Sequence, residues 1–588
     1  MRTTSRLIGL VACTATILGW NVSSAQDTAN WTGSGSDGLY SNPLNWDLGG
    51  ADIPVNGGTT YLVVVPGSEI LSFDLISPTS VDGLDLGLNA EFDFDSGSSL
   101  TVLGAAELAG LISASGPGTE FVGNGVGSTL SAARLAATSG AEISSSATTY
   151  DNVGGTIGNA ATFFADGSGS LLNLSSLLSF SDNRNLSGTG IRSISAGNGG
   201  IIDLSSLLSL HGGASNDTVS VELLSGGTLS LGSLDSISGI HRLVIDPGET
   251  LSLPALTSLD WGRIAWGAGA TLNAPALTTW TSSRIEIDPA HTITSGPLSN
   301  VNGSRFQVTG GTNYTDVVAT SYDYTGSSGL PGTAVLLSAD GPGSVLDLSS
   351  LDTLTDGRNF TGTGIRSVVA SNGGIIDLSN ITSVEGATSN DIFSFDFNTD
   401  GTLLLDGLVS TTRRTQLSLD SGVSLALPNL VSMDEGILDL SPGSSLDVGS
   451  LSSFTSGLLN LDPGVDLITA PLTDVDGTRI AISGGLNYTD VAATTYEYVG
   501  NNIGSSGAIL SADGPGSVLD LSSLDTLTDG RNFTGTGIRS VVASNGGIID
   551  LSNITSVEGA ASNDIFSFDF NTDGTLLLDA LVSTTRRT

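Results

Sequence analysis

Three groups of residues in this chain have the composition and spacing for chemistry. The first is Asp396-x-Asn398-x-Asp400-Gly401, repeated at Asp569-x-Asn571-x-Asp573-Gly574. Oxygens at alternate positions followed by Gly are how a loop wraps a hard cation, and calcium is the cofactor that such a pattern takes. The twelfth position, which should carry a bidentate carboxylate, is Gly407 in one copy and Ala580 in the other, with Asp406 and Asp579 one place early. A plain Asp-Gly turn between two strands accounts for the same residues. The second group is a set of polar loops recurring in order: Asn183-Arg184-Asn185 with Arg192, then Asp356-Gly357-Arg358-Asn359 with Arg366, then Asp529-Gly530-Arg531-Asn532 with Arg539. Loops on a rigid scaffold are where binding concentrates, so a ligand-binding role falls first on these residues. The competing role is structural, an Arg that ties down its own Gly-rich loop through carbonyl oxygens. The third is Arg242, Arg263, Arg284 and Arg305, spaced 21 residues apart. In a stack of 21-residue units these four form a ladder, suited to a sulfated or uronic polysaccharide, although 174 residues later the positions read Gln416, Ile437, Leu458 and Arg479. A stripe that the next repeat discards reads more readily as tolerated than as required.

Other chemistries are closed by composition. Among 588 residues there are 59 acidic and 18 basic side chains, every base is Arg, and the net charge is −41. Such a chain repels a phosphate backbone, so nucleic acid is not a partner, and no mechanism that needs a Lys is available. His211, His241 and His291 have no metal-ligand spacing, and the single Cys13 allows no disulfide and no Cys-ligated zinc. Cys13 follows Leu10-Val11-Ala12, a sequence similar to a lipoprotein lipobox, in which that Cys would be acylated. The wider context favours an ordinary export leader over residues 1–25: Arg2 and Arg6, an apolar run from Leu7 to Trp20, and small residues at Val22-Ser23-Ser24-Ala25. The run is too short to span ~30 Å of hydrocarbon. Cleavage after Ala25 gives a secreted or cell-surface chain, with membrane attachment only through Cys13 or an anchor elsewhere.

The elements that must position these residues are set by repetition. Residues 338–415 and 511–588 align without gaps at an offset of 173 and differ only at Thr388/Ala561 and Gly407/Ala580. A weaker third copy begins near Ala165, so large repeats cover about 165–338, 339–511 and 512–588. Within them Gly248, Gly269, Ala290 and Gly311 sit 21 apart, as do Gly422, Gly443, Gly464 and Gly485. Phrases such as Leu251-x-Leu253-Pro254-x-Leu256 and pairs such as Ile264-x-Trp266 follow the anchors. An apolar i, i+2 pair is a strand with one buried face, and the Gly and Pro between pairs supply corners. A 21-residue unit cannot bury its own Leu face, but it can when the next unit stacks ~4.8 Å away. The spacing therefore predicts an all-β, right-handed parallel β-helix of about 20 coils over residues 76–588, with seven coils to each large repeat. The alternative, a leucine-rich repeat horseshoe, shares the period but requires a capping Asn or Cys after the strand and a helix former where this chain has Ser, Thr and Gly.

Residues 26–75 differ in character. Asn30-Trp31-Thr32-Gly33, Tyr40-Ser41-Asn42-Pro43-Leu44-Asn45-Trp46, Pro54 and Tyr61-Leu62-Val63-Val64-Val65-Pro66 resemble the W-x-G…N-W…P opening of large secreted bacterial β-helix proteins with autotransporter-type β-strand repeats. Leu39-Tyr40 stands where that family usually has a Trp. The resemblance implies an exported, adhesin-like surface protein and carries over no catalytic residue; physically, the aromatics predict a cap over an open solenoid end. The sequence thus points to a non-enzymatic structural or adhesive protein whose partners are extracellular polysaccharides or other surface proteins. The alternative is a β-helix polysaccharide lyase or hydrolase, which needs clustered carboxylates in an unrepeated segment. Thr588 ends within a coil that its counterpart Thr415 continues, which predicts a further stretch of chain or a partner subunit at that edge.

Overall fold

A computed structural model describes residues 26–588 apart from 58, 153–158, 184–189, 214–216, 326–332, 359–363, 389–390, 500–506, 531–536, 560–564, 572 and 587. Residues 1–25, Cys13 among them, lie outside the described residues. The chain forms a right-handed parallel β-helix. The strands of one face pair in sequence order into a continuous 21-stranded sheet running from Ile70–Phe73 to Ile565–Asn571. The other two faces are built from strands of mostly three or four residues, grouped into sheets of 11, 6 and 4 strands on one face and 7, 3, 4, 3 and 4 on the other. The horseshoe alternative is excluded, since the described residues hold no α-helix and only one short 3-10 turn, Pro43–Asn45. No helix among them is long and apolar enough to cross a membrane.

Register explains the stack. Leu251 lies opposite Leu272 and then Ile293, Leu259 opposite Trp280, and Leu243 opposite Ile264. Each apolar i, i+2 pair points inward, so like covers like from rung to rung, and Leu253, Leu256 and Leu259 are all fully buried. The Gly anchors have two different causes. Gly248 and Gly422 adopt φ of +76° and +82°, a left-handed corner that favours glycine. Gly401 and Gly574 are held instead by proximity, because a Cβ there would lie 2.0 and 2.2 Å from the carbonyl oxygens of Ala370 and Ala543 one coil below.

Corners are also stitched by a buried hydroxyl. Ser170 donates to the Asp166 carbonyl at 2.7 Å and accepts from Gly140 N at 2.9 Å; Ser344 and Ser517 repeat this with Asp340 and Gly311, and with Asp513 and Gly485. Each Ser thereby joins its own turn to the turn of the preceding coil.

The segment before the coils covers both open edges of the first rung. Gln26–Asn30 pairs with Thr60–Val65, while Tyr40 N donates to Ser72 and Ser72 N donates to Gly38. Tyr40 is fully buried: its hydroxyl donates to Pro54 O at 2.6 Å and its ring lies 4.8 Å from Trp46 and 4.7 Å from Phe73. Asn45 donates to Asp37 and to Leu39 O, which fixes the loop that carries Trp46.

Candidate functional site

The recurring polar loops leave the helix at one corner, where the third strand of a coil turns into the long sheet. In the second large repeat, Thr353–Thr355 ends there and Asp356 N continues its ladder by donating to Glu385 O at 2.7 Å. Arg358 turns back inward. Its Nε donates to both carboxylate oxygens of Asp356 at 2.7 and 3.0 Å, and its Nη1 stands 3.5 Å from Asp391 of the next coil. Asp391 also accepts from Gly364 N at 2.5 Å, and the Arg358 carbonyl accepts from Thr388. Tyr324, from the coil below, supplies a ring with the guanidinium carbons of Arg358 and Arg366 at 6.0 and 5.8 Å. Asp356, Arg358, Arg366 and Asp391 are each less than 5% exposed. A charge buried to this extent persists only when compensated: Arg358 is paired with Asp356 and Asp391, and Arg366 donates Nη1 to Ile365 O at 3.2 Å and faces the Tyr324 ring.

The other repeats bury the matching described residues. In the third, Asp529 is buried and Arg539 lies 5.6 Å over Tyr498. In the first, Asp182, Arg192 and Asp217 are buried, and Asn152 donates to Asp182 at 3.2 Å. Of the residues that sequence spacing offered as ligand-binding, Arg192, Asp356, Arg358, Arg366, Asp529 and Arg539 are therefore interior. Arg184, Asn359, Arg531 and Asn532 lie outside the described residues. The geometry is that of an Arg tethering its own loop and joining adjacent coils.

The calcium-like pattern is not gathered into a loop. Asp396 lies within the strand Ile392–Phe397, accepts from Ser394, and has its carboxyl pKa raised by burial. Asn398 spends its amide on Ala370 O at 3.1 Å, and Asp400 stands exposed in the turn. In the other copy Asp569 and Asn571 belong to the strand Ile565–Asn571, and Asp573 occupies the left-handed turn at φ +61°. No group of three His, Cys, Asp or Glu among the described residues is placed to hold a metal.

The Arg ladder does form. Arg242, Arg263, Arg284 and Arg305 are directly opposite one another on successive rungs of the long sheet. The first three are exposed; Arg284 pairs with Glu286 at 2.5 Å. Arg305 is half-buried, and its pKa is lowered first by burial and then by the charge of Arg284. Beyond it the sheet face opens into a shallow groove of about 430 Å³ bordered by Arg284, Arg305, Gln307 and Asp340.

Arg305 has a second task that the spacing did not reveal. The strand after it carries a bulge between Val335 and Leu337, and Arg305 Nε donates to Val335 O at 3.0 Å. Arg479 does the same for Ala508 O at 3.1 Å, and Arg134 for Ala161 O at 3.4 Å, each at the equivalent bulge. This is why the second repeat keeps Arg479 while discarding the other three rungs of the ladder. Tyr324 and Tyr498 were also missed, although their spacing of 174 was available as a signal.

No protein-family model matches this chain, and neither curated proteins nor solved structures give a significant match.

Proposed function

We propose that this chain is an exported, non-enzymatic structural or adhesive rod of the cell surface, of the autotransporter-like, adhesin-like kind that its opening residues resemble. The observation that supports this reading most is how the chemically able side chains are used: at each of the three loop corners an Asp and an Arg are buried, and at the second they are hydrogen-bonded to each other. They hold coil to coil, and duplication of such a corner lengthens a rod without copying a reaction centre. The outward faces carry most of the acid, which keeps a long stack solvated and repels nucleic acid. Contacts with acidic glycans, or with calcium bridging two acidic surfaces, then fall to the exposed ladder and the loop tips.

The test is a screen of the mature protein against acidic polysaccharides with and without calcium, following both retention and chain length of the polysaccharide. Saturable retention with unchanged chain length supports an adhesive rod. Shortening of any polysaccharide overturns it in favour of a lyase or hydrolase.

A further inference from the structure

The three loop corners share a framework but not a filling. In the second and third repeats the space beneath the buried Arg is occupied by a ring, Tyr324 or Tyr498, and by an aliphatic side chain at the bulge, Leu336 or Ile509, all at most 1% exposed. The first corner places Asn152 and Thr162 at these two positions. The equivalence is fixed by register: Asn152 lies opposite Asp182 as Tyr498 lies opposite Asp529, and Thr162 sits in the Ala161/Phe163 bulge as Ile509 sits in the Ala508/Leu510 bulge.

Exchanging a phenol ring and a butyl group for two small polar side chains leaves a cavity of about 60 Å³. Arg134, Asn152, Thr162 and Arg192 line it, and exposed Leu88 and Asn89 border it on the solvent side. Thr162 is 1% exposed, and its hydroxyl has no hydrogen-bond partner. Asn152 is 3% exposed and holds Asp182. Arg134 spends Nε on Ala161 O at 3.4 Å and lines the cavity. Glu91 also reaches the lining, two rungs away from Arg134 along the sheet. A chain with only 18 basic side chains thus sets two of them around one void.

We propose that this cavity is a binding site for one small oxyanion group, a carboxylate or a sulfate. A water needs ~10–15 Å³ of such volume, so the space takes a few waters or one group of that size. A guanidinium fork such as that of Arg134 matches the paired oxygens of carboxylate and sulfate, and charge-assisted bonds of this kind are about twice as strong as neutral ones. The Thr162 hydroxyl supplies a further donor that is otherwise unused. The proposal is independent of whether the rod is adhesive, because the oxyanion is either a free ion or a substituent on an acidic sugar.

The experiment is calorimetric titration of the mature protein with sodium sulfate and, separately, sodium glucuronate, at ionic strength held constant with chloride. One saturable site for either is expected; sulfate alone indicates a free ion, and glucuronate indicates the sugar substituent. The Asn152→Tyr, Thr162→Leu double variant, which copies the later repeats, is expected to melt no lower than the parent and to bind at least tenfold more weakly. Should that variant not fold, Thr162→Val decides, with a several-fold loss of affinity expected. Absence of saturation by both ions, or unchanged affinity in the folded variant, overturns the proposal.

Discussion

From Gly248 to Thr309 the rungs succeed one another every 21 residues, and no Asp, Glu or Arg in that stretch is buried. From Ser321 to Phe397 the coils are about ten residues longer and bury Asp356, Arg358, Arg366 and Asp391. The two stretches share one long sheet and the same inward Leu rungs, so the difference is not in how they fold but in how they tolerate added chain. A short corner needs only Gly and a hydroxyl. A long loop brings backbone groups that no neighbouring rung can satisfy, and an internal Arg–Asp pair supplies donors and acceptors in their place. Buried charge in this molecule is therefore a consequence of loop length.

The contrast is broken most severely at Arg358. Arg358→Ala removes the cation that lies between buried Asp356 and Asp391, and removal of one partner of such a buried pair costs about 3–5 kcal/mol. Because coils contact only their neighbours, the loss is expected to be local. Hydrogen exchange should show protection lost across Thr353–Thr355, Ile365–Ser371 and Ile392–Phe397 while the strands between 250 and 287 keep theirs. In the regular stretch the corresponding weak point is apolar. Leu256→Ala should cost about 3 kcal/mol through its cavity, and the same measurement should show the damage centred on Ser258–Asp260 and its neighbours. Equal spreading of both effects along the whole rod would remove the distinction between the stretches.

A pH test separates the two further. His241, on the rung just before the regular stretch, is buried with Nδ1 donating to Gly239 O at 2.9 Å and Nε2 unpartnered, and its pKa falls to about 4 because burial penalises the cation. A folded pKa below the unfolded ~6.5 means the unfolded chain takes up the proton first as pH drops. The stability owed to the neutral ring is complete above pH 6.5 and is lost between there and pH 4. Relative to His241→Leu, the parent should lose about 2–3 kcal/mol from pH 7 to pH 4, read as the difference in melting curves. A parallel pH profile for the two proteins would contradict this.

The features that depend on short repeats were legible in the sequence. The 21-residue beat, the inward Leu pairs and the facing of Arg242, Arg263, Arg284 and Arg305 all follow from spacing, because register in a stack is arithmetic. What escaped was anything decided by side chains that meet across neighbouring coils. Asp356-Gly357-Arg358-Asn359 has the composition of a surface loop, and charged residues are mostly exposed, so burial is invisible until Asp391 and Tyr324 close over it from adjacent coils. The calcium-like pattern has a second source, because a strand with one outward face also places oxygens at alternate positions, and Asp396 and Asn398 belong to such a strand and its end. Glycine anchors looked uniform in sequence, yet Gly422 serves a left-handed corner and Gly401 a close backbone approach.

The smallest effect lies within the ladder itself and divides its members by the work each does. Arg305 and Arg263 are rungs of one column, alike in spacing and charge. Arg305→Gln removes the guanidinium that donates to Val335 O at the bulge, and loss of this exposed bond costs about 0.5–1.5 kcal/mol, read as a lower melting temperature with exchange gained in Ala334–Asp340. Arg263 is exposed between two like charges, so Arg263→Gln should change stability by no more than about 0.5 kcal/mol. The sign should be favourable in low salt, because relief of repulsion along the column is what remains once no bond is broken. Added salt should erase that gain, since exposed charges are screened over ~10 Å at 0.1 M. If Arg263→Gln instead destabilised the rod as much as Arg305→Gln at both salt concentrations, the column would be acting as a unit, and the division between tolerated and required rungs would fall.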